Sequence, residues 1–255
     1  MNFFIFCLFI FTTLSSECTH GEFELCTSNK CSISWDLALL TTTYVPEFCT
    51  GKCCELPTRL GEMTDGFSMH GWWPSFTDGG MPACCTYTTS REQVKKVIES
   101  DDALLDEIAY YWPSLSKCHF IEYEYDKHGT CFGDVYVGDN GVKQYIYAAI
   151  KLLKATDAWN VMKKAGAVAD GKTTISKQTL KNALAKQLGV ENAVIFRCNN
   201  NKYVSEVRYC TSVLAGNVEN PYFMECSSKL LSKDNCDDNV VFREKVSYEA
   251  AGCDY

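Results

Sequence analysis

The sequence predicts an α+β fold, with a central antiparallel sheet flanked by several helices and a disulfide-rich framework. Three observations lead there. Apolar residues recur at helical spacing in several separate stretches. Strand-like runs lie among them in mixed order and close on an antiparallel hairpin, which argues against a regular βαβ alternation. Sixteen cysteines in 255 residues suit an oxidising compartment better than the cytosol.

The elements follow in chain order. Phe3 to Phe11 is apolar and is followed by Thr13 and Ser15. That run is too short to span a bilayer, which takes about 20 residues, and fits the apolar centre of a secretory signal. Residues 1–16 are therefore read as a signal peptide, although the first basic side chain is Lys30. Residues 17–255 are read as one domain, opening with a cysteine-bearing extension from Cys18 to Cys31. Trp35 to Val45 reads as a strand, and Cys49 to Arg59 as a loop. Phe67 and Met69 alternate with Ser68 and His70, as in a half-buried strand ending at Gly71 and Pro74. Ser90 with Gln93 resembles a capping box ahead of Val94, Val97 and Ile98. Leu104 to Trp112 is helical and is stopped by Pro113. Val142 to Lys154 and Asp157 to Lys164 continue the helical pattern. Ser176 caps a further helix that buries Leu180, Ala183, Leu184 and Leu188 and closes at Gly189. Ala193 to Cys198 and Lys202 to Cys210, joined by three asparagines, form the hairpin.

The net charge of −8 and pI near 5.1 exclude a protein that holds nucleic acid by bulk charge alone. They leave room for an enzyme that touches such a substrate locally. Two of the four histidines stand in unusual company: F-S-M-H-G-W-W-P at 67–74 and I-E-Y-E-Y-D-K-H-G-T-C at 121–131. On a helix Glu124, Lys127 and His128 share one face, so a carboxylate, an ammonium and an imidazole would meet a ligand together. Gly71 lets another group approach closely. Trp72 and Trp73 are flat surfaces on which bases could stack, and at least one of them is expected in the core. Taken singly, each motif is weak, because charges at helical spacing usually mark a solvated face.

Together the two stretches resemble the active-site signatures of the ribonuclease T2 family, H-G-L-W-P and W-x-H-E-W-x-K-H-G-T-C. The cysteine order supports the resemblance, which runs from about residue 35 to 240. It implies an endoribonuclease that cleaves single-stranded RNA through the RNA's own 2′-hydroxyl, giving a 2′,3′-cyclic phosphate that water then opens. His128 matches the general base, His70 the general acid, and Glu124 and Lys127 the groups that support the crowded phosphorus. Trp73, Tyr123 and Trp72 are the expected substrate-binding residues. Neither metal nor cofactor is implied. The expected setting is secreted or a lysosome- or vacuole-like lumen, with no membrane contact in the mature form, and the expected state is a monomer. By the same resemblance Cys49 pairs with Cys53, Cys54 with Cys118, Cys198 with Cys236, Cys210 with Cys226, and Cys131 with Cys84 or Cys85.

The departures matter as much. Tyr123 replaces a family histidine linked to phosphate binding, and His119 is a possible substitute nearby. A carboxylate beside a phosphorane repels it unless protonated, so Glu124 is expected to keep a histidine or Lys127 charged. Ile121 and Tyr125 replace two tryptophans, and Ser75 stands near the expected base site. Two rival readings remain: a zinc site from Cys118, His119, His128 and Cys131, and a catalytically weak secreted binding or signalling protein.

Overall fold

The computed structural model describes residues 23–24, 26, 34–59, 66–85, 91–133, 135–248 and 253–255. The expected signal peptide and the Ser90 cap lie outside them. In chain order the elements are β1 (Leu37–Tyr44), α1 (Val45–Cys49), β2 (Phe67–Ser75), α2 (Arg91–Glu99), α3 (Asp102–Tyr111), α4 (Phe120–Lys127), α5 (Gly138–Thr156), α6 (Ala158–Lys164), β3 (Thr174–Ser176), α7 (Lys177–Leu188), β4 (Val194–Asn199), β5 (Tyr203–Ser212), β6 (Tyr222–Phe223), α8 (Ser228–Leu231) and β7 (Asn239–Val241). A 3₁₀ turn over Gly129–Phe132 follows α4.

The sheet runs β2-β1-β5-β7-β3, with β4 and β6 also paired to β5. Its ladders are antiparallel except where β7 meets β5 at Tyr203 and Val241. The hairpin between β4 and β5 turns on Asn200 and Asn201, both at positive φ, which a tight hairpin requires and asparagine tolerates. Ser176 accepts from the Thr179 amide and Gly189 closes α7 in the left-handed region. α3 starts earlier than the apolar pattern suggests, because Asp101 accepts from the Leu104 amide. The Gln93 side chain donates to Asp139 on α5. The core lies between the sheet and α5, which buries Val142, Tyr145, Ile146 and Ala149 and packs across β1 and β2.

β2 departs from the half-buried strand expected of it. It continues through Gly71 and Pro74 to Ser75, and nearly every residue is buried. Thr41 faces Gly71 while the next residue, Thr42, faces Met69. His70 is therefore the extra residue of a β-bulge, a device that bends a strand and re-aims one side chain.

The disulfides confirm two expected pairs, Cys198–Cys236 and Cys210–Cys226, and correct two. Cys49 bonds Cys54 rather than Cys53, and Cys118 bonds Cys253 rather than Cys54. Consecutive cysteines point to different sides of the chain. Cys54 turns into a buried cluster with Val45, Cys49 and Leu115, and Cys53 is disulfide-bonded as well. The carboxyl-terminal segment returns alongside this loop, with the Thr58 amide donating to the Cys253 carbonyl. Of the doublet left open, Cys85 pairs with Cys131, while Cys84 fastens the amino-terminal extension through Cys26. Cys118 and Cys131 are both disulfide-bonded, so the rival zinc site lacks its two thiolates. No helix among the described residues is long and apolar enough to cross a membrane.

Candidate active site

A cavity of about 600 Å³ opens between β2, α4 and the segment before α4, and His70, Trp73, Tyr123, Glu124, Lys127, His128 and Arg208 line it. The bulge delivers His70 from the sheet. α4 delivers Tyr123, Glu124 and Lys127, and His128 follows as its carboxyl-terminal cap. The His128 amide donates to the Glu124 carbonyl, and the Cys131 amide to the His128 carbonyl. Gly129 lies against the Tyr125 ring with no room for a Cβ, so the chain can turn sharply just after the imidazole.

The two histidines sit in different environments. His128 is 5% exposed. Burial, helped by the nearby positive charges of Lys127 and His70, pushes it down to about 3, and the Pro82 carbonyl offsets this only in part. Its Nδ1 has no well-aligned hydrogen bond. His70 is about one-third exposed, and its Nδ1 lies 2.7 Å from Glu206 Oε1. Both imidazoles meet one indole: the Trp73 ring lies 4.9 Å from the His70 ring in an edge-on contact and 5.1 Å from the His128 ring at a 36° tilt, centroid to centroid.

Glu124 is 1% exposed. Burial raises its carboxyl to about 7 against the pull of His70, the Trp73 hydrogen bond and Lys127. Trp73 Nε1 donates to its Oε2 at 2.7 Å, and His70 Nε2 lies 3.9 Å from its Oε1. Lys127 Nζ donates to the Tyr123 hydroxyl at 2.9 Å. Trp72 is not part of the site. It is fully buried, donates to Thr211 Oγ1 and stacks on Tyr145, so of the two tryptophans it is the core residue. His119 is also elsewhere, bonded to Glu122.

This arrangement can accept a proton at one imidazole, give one from the other and face anionic charge with an ammonium. The Ribonuclease T2 family model matches residues 35–226. The chain belongs to the ribonuclease T2 family. Ribonuclease Trv of Hypocrea rufa is 24% identical over 241 residues, covering 86% of this chain and 99% of its own. Ribonuclease T2 of Aspergillus oryzae is 27% identical over 133 residues, so the match spans about half of both chains. Among solved structures, the T2 ribonuclease Actibind aligns at a TM-score of 0.64 and 22% identity, covering 87% of this chain and 94% of its own. The RNase-related protein from Calystegia sepium aligns at 0.64 and 21%, covering 82% and 98%. At these identities the structural likeness establishes the fold.

Three residues at this T2-family cavity escaped the sequence reading: Phe23 and Arg208 line it, and Glu206 stands against His70. Glu206 and Arg208 come from β5, and Phe23 from the extension. A signal for the first two was present: charges at i and i+2 share one face of a strand, opposite the buried Val207 and Tyr209. Nothing in the sequence pointed to Phe23, because its position depends on the Cys26–Cys84 bond.

Proposed function

We propose that the protein is a metal-independent endoribonuclease, secreted or lumenal and monomeric, that cleaves single-stranded RNA by transphosphorylation. His128 takes the proton of the ribose 2′-hydroxyl, whose oxygen attacks the adjacent phosphorus. His70 protonates the departing 5′-oxygen, leaving a 2′,3′-cyclic phosphate. Water then opens that ring with the two imidazoles exchanging roles, to give a 3′-phosphate. The observation that carries the reading is the contrast between the imidazoles: one buried and held neutral, the other beside a carboxylate, both against Trp73.

The nucleophile is tethered to its target, so RNA itself supplies proximity. What remains is acid, base and charge. One acid or base contributes about 10²–10⁴ in rate, so two supply roughly 5–11 kcal/mol. Lys127 faces the developing phosphate charge. Glu124 need not repel it, since burial keeps the carboxyl protonated in acid, where it becomes a hydrogen-bond donor. The binding-protein alternative rests on Tyr123 alone.

The test is cleavage of single-stranded RNA from pH 4 to 8 in EDTA, comparing wild type with His70→Ala and His128→Ala. Wild-type activity through a cyclic phosphate, lost in both variants, is expected. An inactive, correctly oxidised wild type would overturn the reading.

A further inference from the structure

We infer that Glu206 is the positioning residue for His70, and that Arg208 holds Glu206 in place. The inference rests on the proposed role of His70 as the proton donor. Glu206 and Arg208 stand on β5, opposite Thr43 and Thr41 of β1. β2 lies on the far side of β1, where Ser68 faces Thr43 and Gly71 faces Thr41. The bulged His70 thus lies two strands away from Glu206, and only a short threonine stands between them.

Both oxygens of Glu206 are committed. Oε1 meets His70 Nδ1 at 2.7 Å. Oε2 accepts from Arg208 Nε at 3.1 Å and Nη2 at 2.7 Å. The guanidinium in turn lies over the Trp73 ring, 5.4 Å from its centroid. A carboxylate held by an imidazole and a guanidinium remains ionised although largely buried, which is the direction found for Glu206: burial raises it, and His70 and Arg208 bring it down to about 2. An ionised acceptor at Nδ1 fixes the tautomer and ring angle of an imidazole. Nε2 is then the nitrogen left for substrate, on the side of the ring that approaches Glu124. Glu124 cannot do this work itself, being 3.9 Å from that same Nε2.

The experiment has two readouts. Nitrogen-15 NMR of the His70 ring in folded wild type, taken at a pH where the ring is neutral, should show its proton on Nδ1, and in Glu206→Gln a mixture of tautomers; this reports without any activity. Kinetically, Glu206→Gln should lower kcat by about 10- to 100-fold, below the full worth of a general acid, with KM within about twofold, and Glu206→Asp should recover part of the loss. A neutral ring that carries its single proton on Nε2 in wild type, or a kcat unchanged in a folded Glu206→Gln protein, overturns the assignment. Should wild type itself be inactive on RNA, the proposed function fails while the NMR result still decides the Glu206 contact.

A separate observation lies on the opposite wall. We propose that Phe23 is a stacking platform for a base beside the scissile phosphate, lent to the site by the extension. Its ring stacks on Tyr123 at 4.5 Å and 19°, and Tyr123 is near-parallel to Phe120 at 20°. Lys117 Nζ stands 5.2 Å from the Phe23 centroid. The extension is fixed by Cys26–Cys84 and by the Cys26 amide on Asp126. These rings form one aromatic wall that ends at the Tyr123 hydroxyl, the acceptor for Lys127. Phe23 lies outside residues 35–226, so it adds to the family site from beyond the matched region.

Steady-state cleavage of RNA dinucleotides tests this, again on the proposed activity. Phe23→Ala should raise KM about 5- to 150-fold, the worth of one base stacked on an aromatic ring, with kcat nearly kept and Phe23→Trp close to wild type. An unchanged KM, or a rise in kcat/KM showing that the ring obstructs the cleft, overturns the proposal. An inactive wild type would instead remove the ribonuclease reading on which it stands.

Discussion

Trp73 donates its indole N–H to the buried Glu124 at 2.7 Å directly over Gly71, where a Cβ would overlap both partner atoms. The glycine of the H-G-W-W-P motif is therefore a spacer, and the hydrogen bond it admits positions the indole that both imidazoles meet. Gly71→Ala should separate Trp73 from Glu124. The expected result is at least a 100-fold loss of kcat/KM with a stability loss of about 1–3 kcal/mol, the usual cost of overpacking. Urea unfolding alongside kinetics checks it, and activity within twofold of wild type would show that the close approach is dispensable.

Burial of Glu124 also makes a stability prediction with a definite sign. In the unfolded chain this carboxyl loses its proton near its ordinary 4.5, and in the folded protein near 7. The protein's stability from this group is thus complete below 4.5 and declines as pH rises to 7. Glu124→Gln has no such dependence. Its stability relative to wild type should rise across pH 4.5 to 7, by about 3 kcal/mol at most. Thermal denaturation at pH 4, 5.5 and 7 reads the trend; a flat difference rules it out.

His128 fixes the acid limb of activity. Held down to about 3 by burial, with Lys127 and His70 adding to it, it is still a free base where an ordinary histidine is already protonated. Wild-type kcat/KM should therefore persist to about pH 4. Removing the neighbouring ammonium in Lys127→Ala should lower the rate overall and move the acid limb to higher pH. An acid limb near 6.5 in wild type would contradict the burial argument.

Tyr123 marks the departure from the family signature. Its hydroxyl accepts from Lys127 but carries no charge at working pH, so it offers the phosphate a dipole in place of a cation. Tyr123→His should lower KM more than it raises kcat, and more at pH 5 than at pH 7.5, because only the protonated imidazole attracts phosphate. A gain confined to kcat would refute this.

Much of this was legible in the sequence, for physical reasons that differ by element. The helices α3, α5 and α7 announced themselves through apolar periodicity, and the β4–β5 hairpin through its asparagines. His70, Glu124, Lys127 and His128 could be named because both motifs are local. What depends on distant chain segments was hidden. The bulge at His70 exists only in register with β1, Glu206 reaches His70 across a strand, and Cys253 meets Cys118 after a separation of 135 residues. Trp72 and Trp73 are neighbours of one type, and only the packing on each face of β2 separates core from site.

The disulfides offer the sharpest separation of stability from chemistry. Cys85–Cys131 closes 46 residues and Cys198–Cys236 closes 38, so loop entropy gives each about 4 kcal/mol. Only the first touches the site, since the Cys131 amide holds the His128 carbonyl, whereas Cys198 and Cys236 lie outside the cavity lining. Cys85→Ala/Cys131→Ala and Cys198→Ala/Cys236→Ala should therefore lose similar stability in urea. Measured well below their unfolding midpoints, the first should lose at least 10-fold in kcat and the second less than twofold. Equal losses of kcat would mean that the bond at Cys131 stabilises the fold without holding the base in position.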